Sequence, residues 1–373
     1  MAERDYPDGF IQFCDGKITA LGAMEDAPEQ ENAYDAKGAI LLPGLVDAHC
    51  HIGMWEDGMG FEGDDGNEDT DPLTPQLRGL DGVNPMDGAF SEALDYGVTT
   101  VVTGPGSANP IAGQMLAMKT LGRRADAMVI REPLAIKMAL GENPKKSYQA
   151  KDSGPVTRMA VAALIREQLA KAKKYADQLA QAAEDEELDE PEYDAKCEAL
   201  LPLLDHRVKA HIHAHRADDI FTGIRLANEF DFEYVIVHGT EGHLIAQELL
   251  AEGCAVICGP LLGGRTKPEL KNATPKGVGQ LAQMGVPVAI CTDHPELPCH
   301  YLLLSAQVAY QEGMPAEKAL RAITIDAAKI CGLEQQVGSL EVGKDADFVL
   351  YWEEPLQNHR LPKAVFINGK RVR

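Results

Sequence analysis

Short apolar runs that stop abruptly on polar, glycine or histidine residues recur along the chain. They fall at residues 43–51, 97–104, 127–130, 134–141, 208–215, 234–239, 254–259 and 288–295, at lengths that suit strands better than helices. Several are β-branched and apolar throughout, without the alternation of a half-exposed strand, as in a parallel sheet covered on both faces. Between many of them the pattern turns amphipathic, and helices are predicted near residues 111–121 and over about 157–186 and 192–204. Eight strands alternating with helices predict an α/β fold, a (β/α)8 TIM-type barrel, with functional groups at the C-terminal strand ends. The alternation is strained at one place, because only a few residues separate the runs 127–130 and 134–141.

The two ends of the chain follow a different pattern. Residues 10–21 read as a hairpin around Asp15-Gly16, and residues 338–350 and 364–372 as further strands with a turn at Asn368-Gly369. Flanking the barrel in sequence, they are expected to pair across it. Residues 1–42 and 339–373 would then form a small β-sandwich domain, and residues 43–338 the barrel.

Composition narrows the classes. The chain has 373 residues, enough for one large α/β domain and a small one, and a net charge of −23, which argues against nucleic-acid and anionic-membrane partners. No run approaches the roughly 18 apolar residues of a membrane helix. No apolar stretch follows Met1 to Pro7, so no signal peptide is expected. Eight scattered cysteines without a Cys-x-x-Cys pair read as reduced, buried thiols of a cytoplasmic protein.

The chemistry sits where the apolar runs end. The first closes on His49-Cys50-His51, and alternation along a strand turns both histidines to one face and Cys50 to the other. The fifth carries His211, His213 and His215 on one face, the sixth ends at His238, and the last ends at Asp293-His294. Four strand ends each supplying an imidazole or carboxylate point to a metal centre. Neutral imidazoles and carboxylates suit zinc first, then manganese, iron or cobalt.

The run PGLVDAHCH, the later HAH, HG and TDHP strand ends and the closing GSLEVGKDADFVLYW together resemble the amidohydrolase superfamily, nearest its imidazolonepropionase-like and dipeptidase-like branch. The resemblance implies a barrel holding two metals, with a homo-oligomer the common assembly. It carries His49 and His51 onto the ligand pair of the more buried metal, and Asp293 onto the aspartate that binds it and exchanges protons with a bridging hydroxide. His213 and His238 match the ligands of the second metal, with His215 facing substrate and His211 in the core. A bridging anionic ligand is also implied, either Glu142 or a carboxylated Lys137. Their odd separation turns them to opposite faces of a regular strand, and Glu142, at the strand's end, is favoured. The implied activity is hydrolysis of a C–N bond, other than a protein peptide bond, in a small amide, cyclic amide, N-acyl amino acid or dipeptide-like molecule. The alternatives are a mononuclear deaminase of a ring C=N and a catalytically silent relative that binds a partner.

Several residues near these strand ends are candidate substrate contacts. Arg216 and His294 adjoin ligand positions, Asn109 lies in the glycine- and proline-rich turn after the second strand, and Arg265 follows Gly263-Gly264 after the seventh. Between Trp55 and Pro72 lie eight carboxylates and no lysine or arginine. That loop reads as a solvated segment, or as a lid that attracts a cationic or metal-bound substrate.

Overall fold

The computed structural model describes residues 5–29, 32–358 and 360–373. A hairpin, β1 (Gly9–Cys14) and β2 (Lys17–Ala23), opens the chain, with Asp15 and Gly16 both at positive φ in its turn. After β3 (Ile40–Pro43) come the eight strands of one sheet: β4 (Leu45–Asp47), β5 (Val98–Thr103), β6 (Ile111–Lys119), β7 (Val129–Ala139), β8 (Lys209–Ala214), β9 (Tyr234–His238), β10 (Val256–Cys258) and β11 (Val288–Ile290). They lie side by side in chain order from β4 to β11. Past the strands, the Asp293 N–H donates to the His49 carbonyl at 3.1 Å and the His51 N–H to the His294 carbonyl at 2.9 Å. Those two bonds draw the first and last strand ends together, so the sheet is a nearly closed, TIM-like barrel.

The strict β/α alternation fails at one place. Residues 111–119, expected within a helix, form β6, which runs antiparallel to both β5 and β7. Nearly every residue of β6 is buried, so its pattern lacks a helical period to read, and pairing on both sides decides for a strand. Gly113, at φ +141°, lets residues 74–78 lie against β6, since a Cβ there would stand 2.6 Å from the Leu77 carbonyl oxygen. The runs 127–130 and 134–141, expected as two strands, merge into the single β7. Both runs lie in one strand, which explains the short spacing between them, and the reversed β6 needs no crossover helix on either side.

Elsewhere helices do cover the barrel. Arg158–Glu184 is capped by the Thr157 side chain, which accepts from the Ala160 N–H, and buries Val161, Ile165, Leu169 and Ala172 on one stripe. Residues 192–204, expected as one helix, hold two short ones, Ala195–Glu198 and Leu201–Leu204. The opening hairpin stays a separate two-stranded sheet, meeting the C-terminal segment at an isolated Lys17–Asp345 bridge, while β3 joins a four-stranded sheet with β12 (Phe348–Tyr351), then β13 (Ala364–Ile367) and β14 (Lys370–Arg371). Its core of Phe348, Leu350, Ala364 and Phe366 includes Ile18 from the opening hairpin. Among the described residues no helix is long and apolar enough to cross a membrane.

Candidate metal centre

Two groups of donors meet at the C-terminal mouth of the barrel. In each, the nearest ligand atoms lie within 4.8 Å of one another: His49, His51 and Asp293 in the first, His213, His215 and His238 in the second. His49 and His51 lie beyond the end of β4, so a turn, rather than strand alternation, brings them together. Cys50 points away from them into the layer between strands and helices. His238 and Asp293 both adopt positive φ (72° and 57°), a conformation that costs a non-glycine residue on the order of 1 kcal/mol and clusters at functional sites.

Hydrogen bonds fix which nitrogen of each ring faces inward. His51 donates from Nδ1 to the Gly104 carbonyl at 2.8 Å, and His238 from Nδ1 to the Gly259 carbonyl at 2.7 Å. His215 Nδ1 pairs with Thr240 Oγ1 at 2.7 Å. Each bond leaves Nε2 aimed at the donor group, the arrangement metal-binding histidines use. His238 Nε2 and both nitrogens of His213 have no hydrogen-bond partner among the described residues, although their atoms are buried. Leaving such a group unmet costs about 1–3 kcal/mol.

Burial holds these rings neutral. It is the leading cause that pushes His49, His213 and His215 well below the usual histidine range and His238 down to about 4. For Asp293, burial alone would raise the carboxyl, but the neighbouring His238 and His51 hold it below the usual range. Neutral imidazoles with orphaned nitrogens, facing an ionised carboxylate, fit a divalent cation.

The two groups adjoin. Asp293 Oδ1 lies 3.3 Å from His51 Nε2 and 3.6 Å from His49 Nε2, while Oδ2 faces His238 Nε2 at 4.0 Å. Lys137, fully buried, donates from Nζ to His49 Nε2 at 3.0 Å. Burial pushes its ammonium down to about 8.

The structure does not bring Glu142 to the donors. It opens the helix Glu142–Gln149, and its carboxylate lies 3.3 Å from Lys146 Nζ one turn along that helix. His211 sits deeper, lining a cavity of about 180 Å³ with Arg131, Lys209 and Glu233. His294 is buried beside the first group, pushed down to about 4 chiefly by burial, with Nε2 unpartnered. Arg216 is held by Asp218 in a two-bond pair, and exposed Arg265 donates to the Ala273 carbonyl. Asn109 is engaged on both ends of its amide: it donates to Thr74 Oγ1 and the Glu68 carbonyl and accepts from the Tyr148 hydroxyl. It therefore pins the acidic loop to the barrel.

The acidic loop is tied down by partners elsewhere in the chain. Asp69 pairs with Lys151 and Asp71 with Lys196, while the Gly106 N–H donates to the Gly66 carbonyl. Trp55, just ahead of it, sets its ring edge-on to His51 at 5.3 Å. Three residues escape sequence reasoning. Asp47, fully buried, accepts from the Thr292 N–H and hydroxyl and from the His49 N–H, joining the first and last ligand segments, and burial pushes its carboxyl up to about 7. Glu269 and Lys267, in the loop after β10, stand beside the second group. Only the position of Asp47, two residues before His49, offered a signal.

Comparison with known proteins agrees with this architecture. The chain is 29% identical to "Amidohydrolase tasK" of Hapsidospora irregularis over 97% of its length, although it spans only 39% of that protein. It is 26% identical to an imidazolonepropionase of Symbiobacterium thermophilum, covering 94% of this chain and 86% of that one. A crystal structure of an amidohydrolase from Thermotoga maritima superposes with a TM-score of 0.93 at 40% identity, covering 97% of this chain and 94% of the other. The sequence model of the amidohydrolase family matches residues 40–372, from the first residue of β3 to the last but one of the chain. Over that whole span, the chain belongs to the amidohydrolase family of hydrolases.

Proposed function

We propose that this chain is a metal-dependent hydrolase that cuts a C–N bond in a small amide or cyclic amide, with two divalent cations held side by side. The observation that carries the reading is the pair of adjoining donor groups at one barrel mouth, with buried Lys137 reaching His49 beside them. His49, His51 and Asp293 would hold the first cation, and His213 and His238 the second. Lys137, whose Nζ reaches His49 Nε2, would bridge them in place of Glu142, whose carboxylate lies by Lys146. Its neutral amine would add to carbon dioxide, forming an N–C bond and releasing one proton, and the carbamate oxygens would supply the shared negative charge. Divalent cations acidify water to a pKa of about 7 and polarise a carbonyl oxygen, which supplies the nucleophile and the electrophile at neutral pH.

The chain's own groups account for the remaining steps. Asp293 Oδ1 faces His49 and His51 Nε2 and would share their cation, so Oδ2, turned towards His238, would be the atom that receives the proton of the attacking water. Its lowered pKa keeps it ionised and ready to accept at neutral pH. The same atom returns the proton to the leaving nitrogen. His294 Nε2, buried and without a partner among the described residues, would hold a polar group of the substrate, and Trp55 would wall the first group off on the side of the acidic loop. Relatives named amidohydrolase and imidazolonepropionase are in keeping with such a reaction.

The test is elemental analysis of chelator-free protein, followed by hydrolysis assays on N-acyl amino acids, cyclic amides and dipeptide amides. About two equivalents of metal per chain, with a hydrolysed amide whose turnover Asp293→Asn abolishes, is the expected result. Absence of bound metal after reloading with zinc, manganese or cobalt would remove the reading.

A further inference from the structure

A glutamate is almost never fully buried unless it is paired. Glu269 is 1% exposed, carried by the short helix Pro268–Leu270 into the gap between the ends of β7 and β8. Its two oxygens have different surroundings. Oε2 accepts the Glu142 N–H at 3.0 Å, a donor that the helix it opens cannot satisfy. Gly141, at φ +83°, makes room for this, because a Cβ there would stand 2.9 Å from Oε2. Oε1 is turned the other way, 3.6 Å from His215 Nε2 and 3.8 Å from His213 Nε2. Lys267 Nζ lies 2.8 Å from that oxygen and is braced from behind by Asn143 Oδ1, also at 2.8 Å.

A carboxylate with one oxygen anchored and the other facing two imidazole nitrogens, that of His213 without a partner among the described residues, is built as a metal ligand is built. We propose that Glu269 Oε1 is a further donor for the second cation, beside Nε2 of His213, His215 and His238, and that Lys267 holds this oxygen while the cation is away. The inference rests on the metal reading above and sharpens it. Three nitrogens and one oxygen make a complete protein donor set, so the second cation does not depend on Lys137 for retention. The first site, with His49, His51 and Asp293, does.

The experiment is metal binding by the full chain, read by competition with a chromophoric chelator and by elemental analysis after dialysis. Wild type, Glu269→Gln and Lys267→Met are compared, with circular dichroism melts checking that each is folded. Glu269→Gln keeps the shape and an oxygen for the Glu142 N–H but loses the charge. It is expected to weaken the second equivalent at least about tenfold and to leave the first unchanged. Lys267→Met removes the competing ammonium and is expected to tighten the second equivalent several-fold. Two equivalents bound by Glu269→Gln with wild-type affinity would overturn the proposal, as would unchanged or weaker second-site binding in Lys267→Met. A weakened substrate KM in Glu269→Gln at unchanged metal affinity would instead make this carboxylate a substrate-ammonium contact. If the wild type binds no cation, this proposal and the metal reading fall together; if it binds two and Glu269→Gln binds them equally well, only this one falls.

Discussion

Replacing Lys119 by methionine should destabilise the whole molecule while leaving the donor groups untouched. Lys119 ends β6, and its ammonium is shared by Asp345 at 2.7 Å and by Asp347, both just ahead of β12. All three side chains are under 10% exposed, so this is a buried ion cluster tying the barrel to the sheet of the chain ends. Without the lysine, Asp347 keeps, among the described residues, only the Asn368 N–H, whereas Asp345 keeps Lys17 and Gln336. Breaking a buried pair on one side costs about 3–5 kcal/mol, because a charge is left uncompensated. Unfolding entropy for 373 residues is about 0.8 kcal/mol per kelvin, so the melting temperature should fall by about 4–6 °C. Scanning calorimetry of wild type, Lys119→Met and Lys119→Met/Asp347→Asn measures it. The double variant should recover most of the loss, since removing both charges is nearly neutral. A single-variant loss below about 1 kcal/mol, or a double variant no better than the single, would refute the reasoning.

Three further outcomes are expected. Asp345 is held below its ordinary carboxyl value of 3.8, since Lys119 and its hydrogen bonds outweigh burial, so its contribution to stability is present above that pH and lost as the pH falls below it. Urea melts of wild type and Asp345→Asn should therefore differ at pH 6 and converge towards pH 3; a gap that widens in acid contradicts this. Lys137→Met should lower metal affinity at the first site about tenfold or more, while Glu142→Gln, whose carboxylate is occupied by Lys146, should stay within about twofold by the same dialysis assay. The reverse ranking would restore Glu142 as the bridge. Gly66→Ala would set a methyl group 1.9 Å from the Trp55 ring, which packs on His51. An overpacking cost of about 1–3 kcal/mol and a shifted tryptophan emission are expected; unchanged emission and stability would mean that the loop yields freely.

Much of the barrel was readable because its strands are apolar runs that end on special residues, and a strand end is a local property. The histidines at 49, 51, 213, 215 and 238 and Asp293 are visible for the same reason. β6 was not: its residues are apolar on both faces, so periodicity could not separate strand from helix, and β5 and β7 on either side decided it. Glu269 is one acid in a polar loop, with nothing in its neighbours to mark it.

By itself the sequence determined that apolar strands deliver imidazoles and a carboxylate to one end, that both chain ends are β, and that the charge is acidic. Only the tertiary structure decided that Lys137 lies beside His49 while Glu142 turns to Lys146, and that Glu269 enters between β7 and β8. The reason is physical: periodicity reports which face of its own segment a side chain takes. Which groups meet across the barrel depends on strand register, on closure between His49–His51 and Asp293–His294, and on backbone turns at Gly141, His238 and Asp293.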